Sequence, residues 1–132
     1  MAINGRALVE QLRNTVTEIT VLQLHEILQK KPQTIVIDVR ETQETTQGSI
    51  LNAILIPRGV LEMQIDNNET IKQHFSTLDE LADQPIYLLC RSGARSILSA
   101  LSLEQMGFKQ VYSVAGGFLA WQAAGYEVNK TS

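Results

Sequence analysis

The sequence predicts an α/β domain with a mainly parallel central sheet and helices on both faces. Three observations carry this. Short apolar runs rich in β-branched residues recur at TIVIDV (34–39), AILI (53–56), IYLLC (86–90) and VYSV (111–114). They lack the polar alternation of a half-solvated strand, which marks strands buried on both faces. The segments between them carry helical periodicity, and strands alternating with helices build parallel sheets. Finally, 132 residues suffice for one compact core and are too few for two ordinary domains.

The elements follow in order. Residues 4–17 read as an amphipathic helix, with Leu8, Val9, Leu12 and Val16 at helical spacings behind an Asn4 cap. A second helix starts after Thr20, where Gln23 completes a capping-box pattern. Leu24, Ile27 and Leu28 form its buried stripe, and Pro32 ends it. In 94–106, Ala94, Ile97, Leu98 and Leu101 share one face and Gly107 offers a stop. Residues 116–124 give another short helix carrying Phe118 and Trp121, while 62–84 promises only short helices. The expected organisation is an N-terminal helical extension over 1–18 followed by a domain over 19–130.

Composition narrows the partners. Hydrophobic residues at 44% and charged residues at 19% exclude a disordered or low-complexity chain. Eleven Lys+Arg against fourteen Asp+Glu give a net charge of -3, which argues against nucleic acid or an anionic membrane as partner. The longest nearly apolar stretch, Ile50 to Pro57, is broken by Asn52 and falls far short of the roughly 20 residues of a membrane-spanning helix. No apolar segment of a secretory signal is readable at the amino terminus. A single cysteine, Cys90, forms no internal disulfide, so the cytoplasm is the expected compartment. His25 and His74 stand apart from other ligand types, and no nucleotide-binding glycine loop is present. Neither a metal nor a cofactor is expected.

Ligands of open α/β sheets bind beyond the carboxyl ends of the strands. Three such ends stand out: Asp38-Val39-Arg40-Glu41, Pro57-Arg58-Gly59, and Cys90-Arg91-Ser92-Gly93-Ala94-Arg95-Ser96. In the third, a cysteine at a strand end is followed by a short loop leading straight into a helix. Such a loop curls its backbone N–H groups around the sulfur, and Gly93 permits the angles required. The helix N-terminus adds positive potential, and Arg91 and Arg95 add formal charge. All of these favour thiolate over thiol. A cysteine at the end of an apolar strand is more often a small core residue. The flanking arginines, glycine and serines point instead to a reactive thiol with an anionic substrate.

On these residues the chain resembles the rhodanese family, in its single-domain form. CRSGARS (90–96) looks like the family's active-site loop, and the whole stretch 87–128, with Gly116-Gly117 and Trp121, resembles the family's carboxy-terminal half. IVIDVRE (35–41) resembles its first signature, and Gly48-Ser49-Ile50 through Ile56-Pro57-Arg58-Gly59 its second. The departures lie in that second signature. Gly48-Ser49-Ile50 and Leu51-Asn52-Ala53 stand where the family usually has Gly-His-Ile and Pro-Gly-Ala, and Thr45 replaces a common aromatic residue.

The resemblance implies a sulfurtransferase. Cys90 would take the outer sulfur of thiosulfate or a similar small anionic donor, hold it as a persulfide, and pass it to cyanide or a thiol. Arg91, Ser92, Gly93, Ala94, Arg95 and Ser96 would bind the substrate through the loop, with Arg58 a further candidate for its sulfonate end. Arg95 could instead fold back onto Asp38 or Glu41, and Ser96 could cap the helix or bond the sulfur. Asp38 and Arg40 are expected to support the loop as an ion pair. The alternatives are a sulfur-carrier or interaction module loaded by a protein donor, with the N-terminal helix as a docking feature, and, more remotely, a cysteine phosphatase or arsenate reductase. Those last enzymes use Cys-x5-Arg, whereas this chain has Cys90-x4-Arg95.

Overall fold

A computed structural model of the chain describes residues 1–130. Five strands, β1 (Thr17–Ile19), β2 (Ile35–Asp38), β3 (Ile54–Leu55), β4 (Pro85–Leu89) and β5 (Gln110–Val114), form one sheet in the order β1-β5-β4-β2-β3. Every pairing is parallel. The helices are α1 (Gly5–Leu12), α2 (Val21–Lys30), α3 (Thr42–Thr45), α4 (Leu61–Gln64), α5 (Glu69–His74), α6 (Leu78–Ala82), α7 (Ala94–Gln105) and α8 (Gly117–Ala123). The α/β class expected from the apolar runs is therefore the observed one.

Side chains alternate across the sheet and split the core in two. Ile86, Leu88 and Cys90 face the side covered by α1, α4, α5, α6 and α7, where Val9, Leu61, Ile71, Leu81, Ile97 and Leu103 pack. Tyr87 and Leu89 face the other side, where α2 and α8 bring Leu24, Phe118 and Trp121. Because all strands run the same way, the segments leaving β2, β3, β4 and β5 emerge at a common edge. That edge carries the cysteine loop.

Local sequence explains most boundaries. The Asn4 side chain accepts from Ala7 N at 2.8 Å and starts α1. Thr20 and Gln23 form the full reciprocal capping box of α2. Gly107, at φ +97, lets the chain leave α7. The region 62–84 forms the short helices α5 and α6 and the end of α4.

The helix expected over 4–17 is shorter than that. It ends at Leu12, continues as one 3-10 turn (Arg13–Thr15), and gives way to β1, which pairs with β5 from Thr17↔Tyr112 to Ile19↔Val114. Asn14, Thr15, Val16 and Thr17 are weak helix formers. The Thr15 hydroxyl donates to Leu12 O at 2.6 Å, closing the helix end, and Val16 is already extended. The expected division at 18/19 falls inside this strand. The run expected as a strand over 53–56 shrinks to the two-residue β3, since Ala53 N turns back to Ile50 O and Pro57 offers no N–H.

Helix α1 packs on α7, burying Val9 in the same cluster as Ile97, Ala100 and Leu103. Truncating Val9→Ala should therefore lower the unfolding free energy by about 2 kcal/mol, read as a reduced urea midpoint with unchanged slope.

Candidate active site

Cys90 directly follows the central strand β4 and is 1% exposed. Gly93, at φ +105, turns the chain into α7 within three residues. The turn folds the backbone over the sulfur. Sγ accepts from Gly93 N at 3.1 Å and from Ser96 N at 3.4 Å, and lies 3.3 Å from Ser96 Oγ. Ser96 Oγ in turn lies 2.8 Å from Ser113 Oγ on β5. Ser96 therefore bonds the sulfur, and Gly93 occupies the cap position without a side-chain bond.

The loop is fixed from behind by the start of α8. Phe118 N donates to Cys90 O at 2.8 Å and Leu119 N donates to Arg91 O at 3.0 Å. A trans peptide carries its N–H opposite its C=O. Holding those two carbonyls on α8 therefore turns the N–H groups of Arg91 and Ser92 away from α8. Among the described residues, the backbone N–H groups of Arg91, Ser92, Ala94 and Arg95 have no hydrogen-bond acceptor. They lie at the N-terminus of a 12-residue helix, where the backbone adds positive potential. Gly117 makes the close approach possible. At φ +56, a Cβ there would strike Cys90 O and the carbonyl of Arg91.

Asp38 and Arg40 support α8 from the other face of the sheet. Arg40 Nη2 lies 2.8 Å from Asp38 Oδ2 and donates to Gly48 O at 2.8 Å, and Ser49 Oγ donates to Asp38 at 2.6 Å. Both members of the pair are buried. The Arg40 guanidinium lies 4.1 Å from the centroid of Phe118, the residue whose N–H holds Cys90 O. Arg40 thus contacts the helix that holds the cysteine loop, and Asp38 also pairs with Leu89, the residue before Cys90.

The arginines separate. Arg91 is exposed, as are Ser92 and Ala94, whereas Gly93 and Ser96 are buried. Arg95 turns to Glu44 on α3, with paired contacts of 2.7 and 2.9 Å. It reaches neither Asp38, which Arg40 and Ser49 occupy, nor Glu41, which caps α3. The Arg95 hydrogen bond, opposed by partial burial, holds the Glu44 carboxyl down at about 2. Arg58 is directed to Glu62 at 3.0 Å and to Ser102 at 3.1 Å, far along α7 from Ser96. It therefore does not join the cysteine loop. Sequence reasoning passed over Glu44, Ser113 and the steric role of Gly117; a glutamate that completes a capping pattern opposite an arginine-bearing loop was the one readable signal. No group of three or more metal-ligating side chains occurs among the described residues. No helix there is long and apolar enough to cross a membrane.

The chain is similar to known proteins in sequence and fold. The rhodanese-like domain family matches residues 20–124, and the chain belongs to that family. A Bacillus subtilis protein named provisionally as a sulfurtransferase, YtwF, is 34% identical over 107 residues, covering 81% of this chain and 91% of that one. The polysulfide-sulfur transferase homodimer of Wolinella succinogenes is similar at 26% identity and TM-score 0.73, covering 96% and 88% of the two chains. A Rhodopseudomonas palustris protein of unknown function, termed a possible tyrosine phosphatase, is similar at 25% identity and TM-score 0.81, covering 98% and 96%.

Two outcomes follow. Gly117→Ala should displace the loop and lower the reactivity of Cys90 toward iodoacetamide, with the helix content by circular dichroism retained. Glu44→Gln should be less stable than the parent protein near pH 7 by about 1 kcal/mol, the solvent-screened value of such a pair. A carboxyl whose value falls on folding stabilises above its unfolded value and loses that effect as it protonates. The gap between the two urea midpoints should therefore close as pH falls from 4.5 towards about 2.

Proposed function

We propose that this chain is a sulfurtransferase that moves a sulfane sulfur from thiosulfate, or a similar small anionic donor, through a persulfide on Cys90 to a thiophilic acceptor. The observation that carries the reading is the backbone around the sulfur. Two N–H groups already bond Sγ, and four more at the loop have no acceptor. That is donor capacity for a second, terminal anionic sulfur. The family membership and the sulfurtransferase names among its relatives support the same class of chemistry.

The reaction runs in two halves. The Cys90 thiolate attacks the outer sulfur of thiosulfate, the S–S bond to the sulfonate breaks, and sulfite leaves with the bonding pair. The resulting Cys90–S–S⁻ keeps one negative charge, spread among the loop donors. Cyanide or a thiolate then attacks the terminal sulfur and releases the Cys90 thiolate, so that no proton transfer or redox partner is required with cyanide. The chain has one cysteine, so the acceptor comes from outside it. Arg91, exposed at the mouth, supplies the formal positive charge that attracts the dianion.

A phosphatase reading fits these residues less well. Its phosphate-binding arginine would have to be Arg95, which is one residue closer to the cysteine than Cys-x5-Arg requires and is already paired with Glu44.

The purified protein should form thiocyanate from thiosulfate and cyanide with ping-pong kinetics. Cys90→Ser should fold normally and lose that activity by at least about a thousandfold. The parent protein should leave p-nitrophenyl phosphate untouched. Absence of thiocyanate with a small-molecule donor would move the reading to a carrier loaded by a protein donor, and Cys90-dependent phosphate release would overturn it.

A further inference from the structure

Ser113 stands inside the apolar run of β5, in register with Leu88 and on the same side of the sheet as Val111. Its side chain is 0% exposed. A buried hydroxyl without a partner is costly, so its bonding partner is informative. Among the described residues that partner is Ser96 Oγ alone, at 2.8 Å. Ser99, another buried serine of α7, bonds the Arg95 carbonyl at 2.7 Å, the usual helix-internal solution. Ser96 does otherwise: its oxygen lies between Ser113 and the Cys90 sulfur.

We infer that Ser113 is a positioning residue whose hydroxyl donates to Ser96 Oγ and thereby aims the Ser96 proton at the Cys90 sulfur. The inference rests on the reading of Cys90 as the nucleophile. The direction follows from the number of protons. Each hydroxyl has one proton to give. With the sulfur anionic, Ser113 donates to Ser96 and Ser96 donates to Sγ; both protons are used and the anion gains a third donor beside Gly93 N and Ser96 N. In the reverse direction, Ser96 donates to Ser113, the Ser113 proton has no acceptor, and the sulfur loses its hydroxyl donor. Ser113 is the blind end of the chain, so it sets the direction. No proton is transferred along it. Polarisation of one hydroxyl by the next strengthens the last bond to the anion.

The test compares two variants of one shape. Ser113→Thr keeps the hydroxyl and Ser113→Val replaces it with a methyl group, so both crowd the site alike. The readout is the far-ultraviolet absorbance of the thiolate across pH, with Cys90→Ser as background; a single cysteine makes the signal unambiguous. Ser113→Val should titrate at higher pH than the parent protein, with a roughly two- to fourfold lower thiolate-to-thiol ratio on the rising limb, while Ser113→Thr should follow the parent. Equal curves for Thr and Val, shifted or not, would overturn the inference. Should the β-branched variants not fold, Ser113→Ala serves instead: a shift like that expected for Val supports the inference, and a parent-like curve overturns it. Failure of the parent protein to make thiocyanate would move the sulfur-transfer reading to a carrier loaded by a protein donor and leave this titration standing.

Discussion

The architecture of the site depends on two backbone hydrogen bonds, from Phe118 N to Cys90 O and from Leu119 N to Arg91 O. They hold the cysteine loop against the start of α8 and so turn the N–H groups of Arg91 and Ser92 away from that helix. With the carbonyls held, the loop presents N–H groups; with the carbonyls released, the same peptides could rotate and present oxygen to an anion. Gly117 is the steric condition for that contact, because any Cβ would occupy the space of the loop's carbonyls. The direction of the loop's N–H groups is thus set by main-chain geometry.

The rest of the molecule supports that contact from both faces of the sheet. On one face, α7 carries Ser96 to the sulfur, and α1 covers α7 with Val9. On the other, the buried Arg40–Asp38 pair lies against Phe118 and ties in Gly48 and Ser49. Removing one member of such a pair leaves an uncompensated buried charge. Arg95 braces α7 against α3 through Glu44. Its charge is committed there, whereas Arg91 is exposed to solvent.

The sequence showed the sheet where strands were apolar on both faces, and Ile37, Leu88 and Leu89 are indeed among the most buried residues. It did not show β1, because a three-residue edge strand with a half-exposed pattern has no apolar run to find. The loop 90–96 was readable because its residues are contiguous. What fixes the loop was not, since Gly117 and Ser113 meet it only after a helix and a strand intervene. Ser113 in VYSV reads as a mere interruption of an apolar run, and Gly116-Gly117 as a turn. The partner of Arg95 was missed because several carboxylates lie on neighbouring loops; only the folded chain shows which of them were already occupied.

The sulfur-transfer reading requires that Cys90 itself carry the sulfur, which the intact mass of the protein after incubation with thiosulfate reads directly. The expected gain is about 32 Da, one sulfur atom, absent in Cys90→Ser and removed by cyanide. A gain that persists in Cys90→Ser, or one that cyanide does not remove, would contradict that reading.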